Sequence, residues 1–269
     1  MQKLQEIANE IRVDLVKLHN RTRTSHIGSE FSAIDIMVEL YYNVMNITPQ
    51  NFSSDDRDYF ILSKGHAAPA LYEILYRRGF FGREMLDKYG EDGSLLAEHP
   101  ARGIPGIDVS TGSLGHGLSI ASGIAYSLKL SKMKGKVYVL LSDGECQEGS
   151  TLEAANFAGR VNLDNLVAII DNNGLQAYDR TSDIQPINSV IAKFVSSGWS
   201  YKIVDGHDFE QMGREFALVP FVTDKPSLLV ANTIKGKGIR EMENRIEWHY
   251  KSPNDTELHE FIKQLGGRI

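Results

Sequence analysis

The stretch from Lys136 to Asn173, KVYVLLSDGECQEGSTLEAANFAGRVNLDNLVAIIDNN, limits what this chain can fold into. It opens on an apolar strand, Val137 to Leu141. An acidic, glycine-bearing turn follows, and then a helix starting near Ser150, where Ser150 and Glu153 have capping-box spacing. A second apolar strand, Leu166 to Ile170, ends in Asp171-Asn172-Asn173. Two such strands joined through a helix are a β-α-β unit, and that unit demands a parallel sheet.

In open parallel sheets, ligands bind beyond the carboxyl ends of the strands. Asp143 and Asn173 each follow such an end. Hard cations take carboxylate, amide and carbonyl oxygens and often share them with phosphates. The pair therefore points to a metal-bridged diphosphate, with Gly144 letting the backbone come close. Taken alone, Asp-Gly is also an ordinary turn and Asn-Asn an ordinary loop. Their separation of about thirty residues across one crossover favours a shared site. No lysine precedes Ser150-Thr151, so this is not a P-loop, and no Gly-x-Gly-x-x-Gly opens a helix.

The Asp-Gly turn with its distant Asn resembles the thiamine diphosphate fingerprint. Four more segments resemble transketolases: SHIGSE (25–30), LSKGHAAPALY (62–72), EHPARGIPGIDVSTGSLGHGLS (98–119) and TIKGKGIREMENRIEWHYK (233–251). The resemblance spans nearly the whole chain. It implies one α/β domain over residues 1–269, a doubly wound, mostly parallel sheet of the thiamin diphosphate-binding fold. It implies the diphosphate-binding subunit of a split transketolase, which moves a two-carbon ketol unit from a ketose (phosphate) to an aldose. The implied cofactors are thiamine diphosphate and Mg2+, or another divalent cation such as Ca2+ or Mn2+. The implied metal ligands are Asp143, Asn173 and the Leu175 carbonyl. Cofactor contacts would come from His66, Gly112, Ser113, Leu114, Asp143, Gly144, Glu145, Asn173 and His249.

The chain has eight histidines. By position alone His26, His66, His99 and His249 read as surface or structural residues. The resemblance makes them catalytic, because each falls inside a matching motif. Glu148 would join a carboxylate network linking active sites across a subunit interface. His116, in the small-residue helix, is a weaker channel candidate, and His19, His207 and His259 read as structural. The chain departs from the family at Ile27 (usually proline), Ser142 (often glycine), Ala177 (usually larger and apolar) and Tyr250 (usually small). These departures imply a divergent pocket.

A full transketolase carries two further domains, pyrimidine-binding and C-terminal. Leu265-Gly266-Gly267 reads as a natural stop, so a partner chain is expected, in an assembly of two copies of each. Two alternatives stay open: a ketol synthase using a 2-oxoacid donor, and a non-catalytic cofactor-binding or regulatory subunit. The net charge of −6 disfavours nucleic acid and anionic membranes as partners. No apolar run approaches a membrane span and no signal-peptide pattern stands at the start. Cys146 is the only cysteine, so no internal disulfide can form and a reducing cytoplasm is expected. It reads as structural rather than nucleophilic.

The remaining elements follow from periodicity. Helices are expected over the first residues to Arg21, Ser32–Met45, Ala67–Arg78, Leu114–Lys132, Val190–Val195, Phe209–Leu218 and Glu257–Leu265. Strands are expected at Tyr59–Leu62, Tyr201–Val204 and Ser227–Ala231. Gly90 to Gly112 is irregular, and such long segments in compact domains are often functional.

Overall fold

Most of the strands are near-continuous apolar runs because the sheet is covered on both faces, the exception being the largely exposed edge strand Ser200–Asp205. The computed structural model describes residues 2–267. Met1, Arg268 and Ile269, part of the single expected domain, lie outside the described residues. Five strands form one all-parallel sheet: β1 (Tyr59–Leu62), β2 (Val137–Ser142), β3 (Leu166–Asn172), β4 (Ser200–Asp205) and β5 (Ser227–Asn232), in the order β1-β2-β3-β5-β4. Alternate residues feed two cores. Tyr138, Leu140, Val167 and Ile169 enter one core, and Val139, Leu141, Ala168 and Ile170 enter the other.

The first core is covered by α1 (Gln2–Thr22), α2 (Ile27–Glu39), α3 (Ala68–Arg77) and α9 (Phe209–Phe216). The second is covered by α5 (Gly117–Leu130), α6 (Gly149–Arg160) and α8 (Ile187–Ser196). Short helices α4 (Arg83–Asp87) and α7 (Thr181–Ile184) lie in connections, and α10 (Asp255–Gln264) packs on α1. The doubly wound sheet expected from the sequence is therefore what forms. The chain leaving β1 or β5 turns to the first face, and the chain leaving β2 or β3 turns to the second. That divergence opens a crevice at the carboxyl edge of the sheet.

Two local expectations are corrected. The second helix begins at Ile27 rather than Ser32, and every residue of it is buried. Gly28-Ser29-Glu30 read as loop, yet specific bonds offset the burial of this helix's polar groups. Glu30 meets His19, Ser32 Oγ donates to Asp171 at 2.6 Å, and Asp35 meets Arg12 and His207. The expected Ser150–Glu153 capping box does not form. The N-cap of α6 is Glu148, and Ser150 Oγ instead donates to the Gly115 carbonyl at 2.9 Å. A tertiary partner outcompetes the local cap. The small-residue helix likewise starts at Gly117, which leaves Leu114 and His116 in the turn before it. A capping box is present at α10, between Asn254 and Glu257.

Candidate functional site

Three neighbouring strand ends contribute to one cleft of ≈ 300 Å³. Lys64 and His66 follow β1, Asp143 and Gly144 follow β2, and Asn173, Leu175 and Gln176 follow β3. Ser29 and His249 close the near side, and Leu114, Gln147, Glu148, Ala177 and Tyr178 the rim.

Asp143 is held by three donors. Its Oδ1 accepts from Gly144 N–H at 2.8 Å, and its Oδ2 from Gly174 N–H at 2.9 Å and Thr181 Oγ at 2.8 Å. The Gly174 bond ties Asp143 to the loop between Asn173 and Leu175, so the three expected metal ligands share one corner. Burial raises the Asp143 pKa to about 6 against the opposing Thr181 bond, with Asp171 adding to the rise. Asn173 Nδ2 donates to Ser32 Oγ at 3.2 Å, and its Oδ1 accepts from Leu175 N–H at 3.1 Å. An amide oxygen has two lone pairs, so one stays free for a cation. Gln147 and Gln176 line the same cleft with their buried Nε2 atoms unpartnered. Unpaired buried donors beside an under-neutralised carboxylate fit a ligand that brings both a cation and phosphate oxygens.

Behind this corner lies Lys64, fully buried, with Nζ 2.5 Å from Asp171 Oδ2 and 2.9 Å from the Ser29 carbonyl. Asp171 also accepts from Ser32 and from Thr233. Such a pair survives burial only when its remaining hydrogen bonds are met. Lys235 Nζ donates to the Gln176 carbonyl and to His249 Nδ1, each at 3.2 Å. Burial, and then Lys64, lowers its pKa to about 8. Because an ammonium only donates, His249 Nδ1 is the acceptor and Nε2 carries the hydrogen.

Three of the four expected histidines meet. Ring centroids are 5.3 Å apart for His26–His66, 4.9 Å for His26–His249 and 5.8 Å for His66–His249. Burial, reinforced by neighbouring cationic side chains, lowers the pKa of His26 to about 4, that of His249 to about 3, and that of His66 well below its usual value. All three are neutral at pH 7. Their depressed values imply a pH effect with a definite sign. Below about pH 6.5 the unfolded chain takes up protons that these folded imidazoles refuse, so their contribution to stability falls as the pH drops. The wild type should therefore lose thermal midpoint relative to His249→Gln between about pH 7.5 and about pH 5. Parallel melts at both values check this, and a constant gap would contradict the neutral assignment.

Other expected site residues lie elsewhere. The His99 ring does not line the cleft but packs on Gly112, where an added Cβ would sit 2.7 Å from it. Gly65 in turn abuts Gly112, at 2.8 Å from an added Cβ to the Gly112 nitrogen, so bare backbone joins the 62–72 and 98–119 segments here. Gly112 has φ +139°, which a side chain rarely tolerates. Ser113 is exposed beside it, and only Leu114 of that trio reaches the cleft. Glu145 lines the cleft, but its carboxylate accepts from Ser63 Oγ, Gly115 N–H and Ser142 N–H, and its own N–H donates to Ser142 Oγ. It braces the turn from the wall of the cleft. Ser142 accepts that last bond through a hydroxyl that the glycine of the family pattern lacks. Glu148 is at the rim, outside the buried core. His116 is exposed, with Nδ1 3.2 Å from the Ser113 and Leu114 carbonyls, and is not part of the cleft lining. Cys146 is buried and donates to the Ser142 carbonyl at 3.3 Å, and burial pushes its thiol well up.

Sequence reasoning does not single out Ser29, Lys64, Lys235, Gln147 and Gln176 as site residues. Lys64 and Lys235 sit inside the SKGHA and TIKGKG segments, which is the signal that could have found them.

Residues 3–268 match the family described as "Transketolase, thiamine diphosphate binding domain". The chain belongs to the transketolase family. This transketolase domain is 39% identical to an apulose-4-phosphate transketolase subunit of Phocaeicola vulgatus, covering 96% of this chain and 92% of that one. It is 36% identical to the 6-deoxy-6-sulfo-D-fructose transketolase subunit SqwG of a Clostridium species, covering 91% and 90%. The transketolase structure from Campylobacter jejuni superposes with a TM-score of 0.93 at 28% identity, over 99% of this chain and 43% of that one. The transketolase segments found in the sequence are thus the ones that converge at the cleft. Among the described residues, no helix is long and apolar enough to cross a membrane.

Proposed function

We propose that this chain is the diphosphate-binding subunit of a two-chain transketolase. It transfers a two-carbon ketol unit from a ketose or ketose phosphate to an aldose. The observation that carries this reading is the meeting of three imidazoles, two of which (His66 and His249) line the cleft with Asp143 and Asn173. The relatives of similar length are named as transketolase subunits, whereas the chain spans less than half of the Campylobacter enzyme. A partner chain with the pyrimidine-binding and C-terminal parts completes the active site, two copies of each. The buried lone cysteine suits a cytoplasmic setting.

Thiamine diphosphate, when bound, would supply the nucleophilic carbon that adds to the ketose carbonyl. Asp143, Asn173 and the Leu175 carbonyl hold a divalent cation, Mg2+ by preference or else Ca2+ or Mn2+. Gln147, Gln176 and Lys235 donate toward the diphosphate. His249, whose Nδ1 accepts from Lys235, offers its Nε2–H to a sugar oxygen, and the neutral His66 keeps one donor and one acceptor nitrogen for proton exchange with a sugar hydroxyl. His26 extends this surface along the sugar channel, and His99, packed on Gly112, acts on it from outside the cleft lining. Glu148, at the rim, faces the partner. Ala177 leaves room beside the cofactor, and Tyr250, edge-on to His249 at 4.9 Å between centroids, narrows the entrance.

His66→Ala and His249→Ala are expected to keep the fold and lower turnover by roughly 10²–10⁴. Steady-state assays of the assembled complex beside melting curves test this. Lost stability with intact specific activity would make these residues structural. The proposed function itself is tested by assaying the complex with a panel of ketoses, and with pyruvate, as donors. Turnover with pyruvate and none with ketoses would replace it by the 2-oxoacid reading.

A further inference from the structure

The turn between α1 and α2 carries His26 in an unfavourable backbone conformation. Arg23 has φ +57° and His26 φ +79°, both in the left-handed region that non-glycine residues avoid. No side chain caps α2 at His26. Something else must hold the turn, and the strongest anchor is a buried pair. His19, near the end of α1, places Nε2 2.9 Å from Glu30 Oε2, and neither side chain is exposed. On its other side, His19 Nδ1 lies 3.0 Å from the Thr24 carbonyl and 3.0 Å from Thr24 Oγ. A carbonyl only accepts, so Nδ1–H donates to it.

Glu30 completes the bracket. Its N–H donates to the His26 carbonyl at 3.2 Å, while its carboxylate holds the imidazole that grips Thr24. The pair therefore grasps the chain at Thr24, two residues before His26, and again at the His26 carbonyl. A third bond, His26 N–H to the His249 carbonyl at 3.0 Å, links the turn to the other side of the histidine cluster.

We infer that His19 and Glu30 are a positioning pair for His26. They hold its left-handed backbone so that its ring stays 4.9 Å from His249 and 5.3 Å from His66. Their effect on ketol transfer passes through His26 alone. This rests on the proposed reading of the cleft.

The test uses the chain assembled with its partner and four variants: His19→Leu, Glu30→Gln, His26→Ala and His19→Leu/His26→Ala. His19→Leu should lower kcat/KM for a ketose donor by about tenfold or more, since misplacing a group by an ångström costs on that order or above. Thiamine diphosphate affinity, measured by calorimetry with Mg2+, should change less than about twofold, because neither His19 nor Glu30 bonds to Asp143, Asn173 or Leu175. Amide exchange over residues 24–29 should quicken while strands β2 and β3 keep their protection. The double variant should be no slower than His26→Ala. Additive losses in the double variant, or unchanged exchange over 24–29, would overturn the inference. Glu30→Gln keeps the side-chain shape and carries the same readouts if His19→Leu fails to fold. A wild-type complex without ketol transfer would end the reading of the cleft instead, and the exchange result would still decide whether the pair positions His26.

Discussion

Asp143→Ala in the assembled complex is expected to weaken thiamine diphosphate binding by on the order of a hundredfold or more at saturating Mg2+. The cation would lose its only anionic ligand from this chain, and direct ligands matter more than the outer partners whose loss already costs roughly 10–100-fold. The backbone should respond unevenly. Gly174 N–H and Thr181 Oγ would lose their acceptor, so the loop carrying Asn173 and Leu175 would loosen as well. Asn173→Ala should act in the same direction and less severely, since it removes a neutral ligand. Calorimetry over a range of Mg2+ concentrations separates the cases. An unchanged affinity in either variant removes that residue from the metal site.

The chain alone is expected to show no ketol transfer, and adding its partner should restore it. The cleft is bounded by this chain on the diphosphate side and lies open at its rim. Tyr178 and Tyr250 are 75% and 66% exposed there, and Leu114 is 37% exposed. Large apolar side chains grouped at an open ligand cleft are typical of surfaces that another chain covers. Glu148, at the same rim, would find its carboxylate neighbours on the far side of that contact. Solution mass with and without the partner, combined with assays over a ketose panel, tests this. Full turnover from this chain alone would show that every catalytic group lies within it, and the two-chain reading would be abandoned.

The parts of the fold that are legible in the sequence are those where one physical signal dominates. Strands such as Val137–Ser142 are uninterrupted apolar runs, because both faces of a parallel sheet are covered. Asp143 and Asn173 are legible as a pair because a right-handed crossover leaves two strand ends side by side. What escapes detection is polar and buried. A sequence does not show that Lys64 and Asp171 will find each other across 107 positions, so each charge reads as solvated. Glu30 inside α2 hides the true start of that helix for the same reason. Ser150 obeys the capping rule in sequence and breaks it in space, because Gly115 offers it a better acceptor. Glu145 lies in the fingerprint turn yet turns its carboxylate inward, a choice set by Ser63 and Gly115 from two distant segments.

The neighbouring strands β1 and β2 are separated in the chain by residues 63–136, which hold three α-helices and the whole irregular Gly90–Gly112 segment. Closing so long a connection costs chain entropy before any hydrogen bond of the ladder repays it. During synthesis β1 emerges long before β2, and therefore waits without the one strand it pairs with. Lys64 waits longer still, because its counterion Asp171 stands one strand further along. The ligand cleft cannot be complete before both closures are made. Folding of this chain should be slow compared with helical proteins of its size, and the capacity to bind a diphosphate should appear in the final kinetic phase rather than with the bulk of the secondary structure.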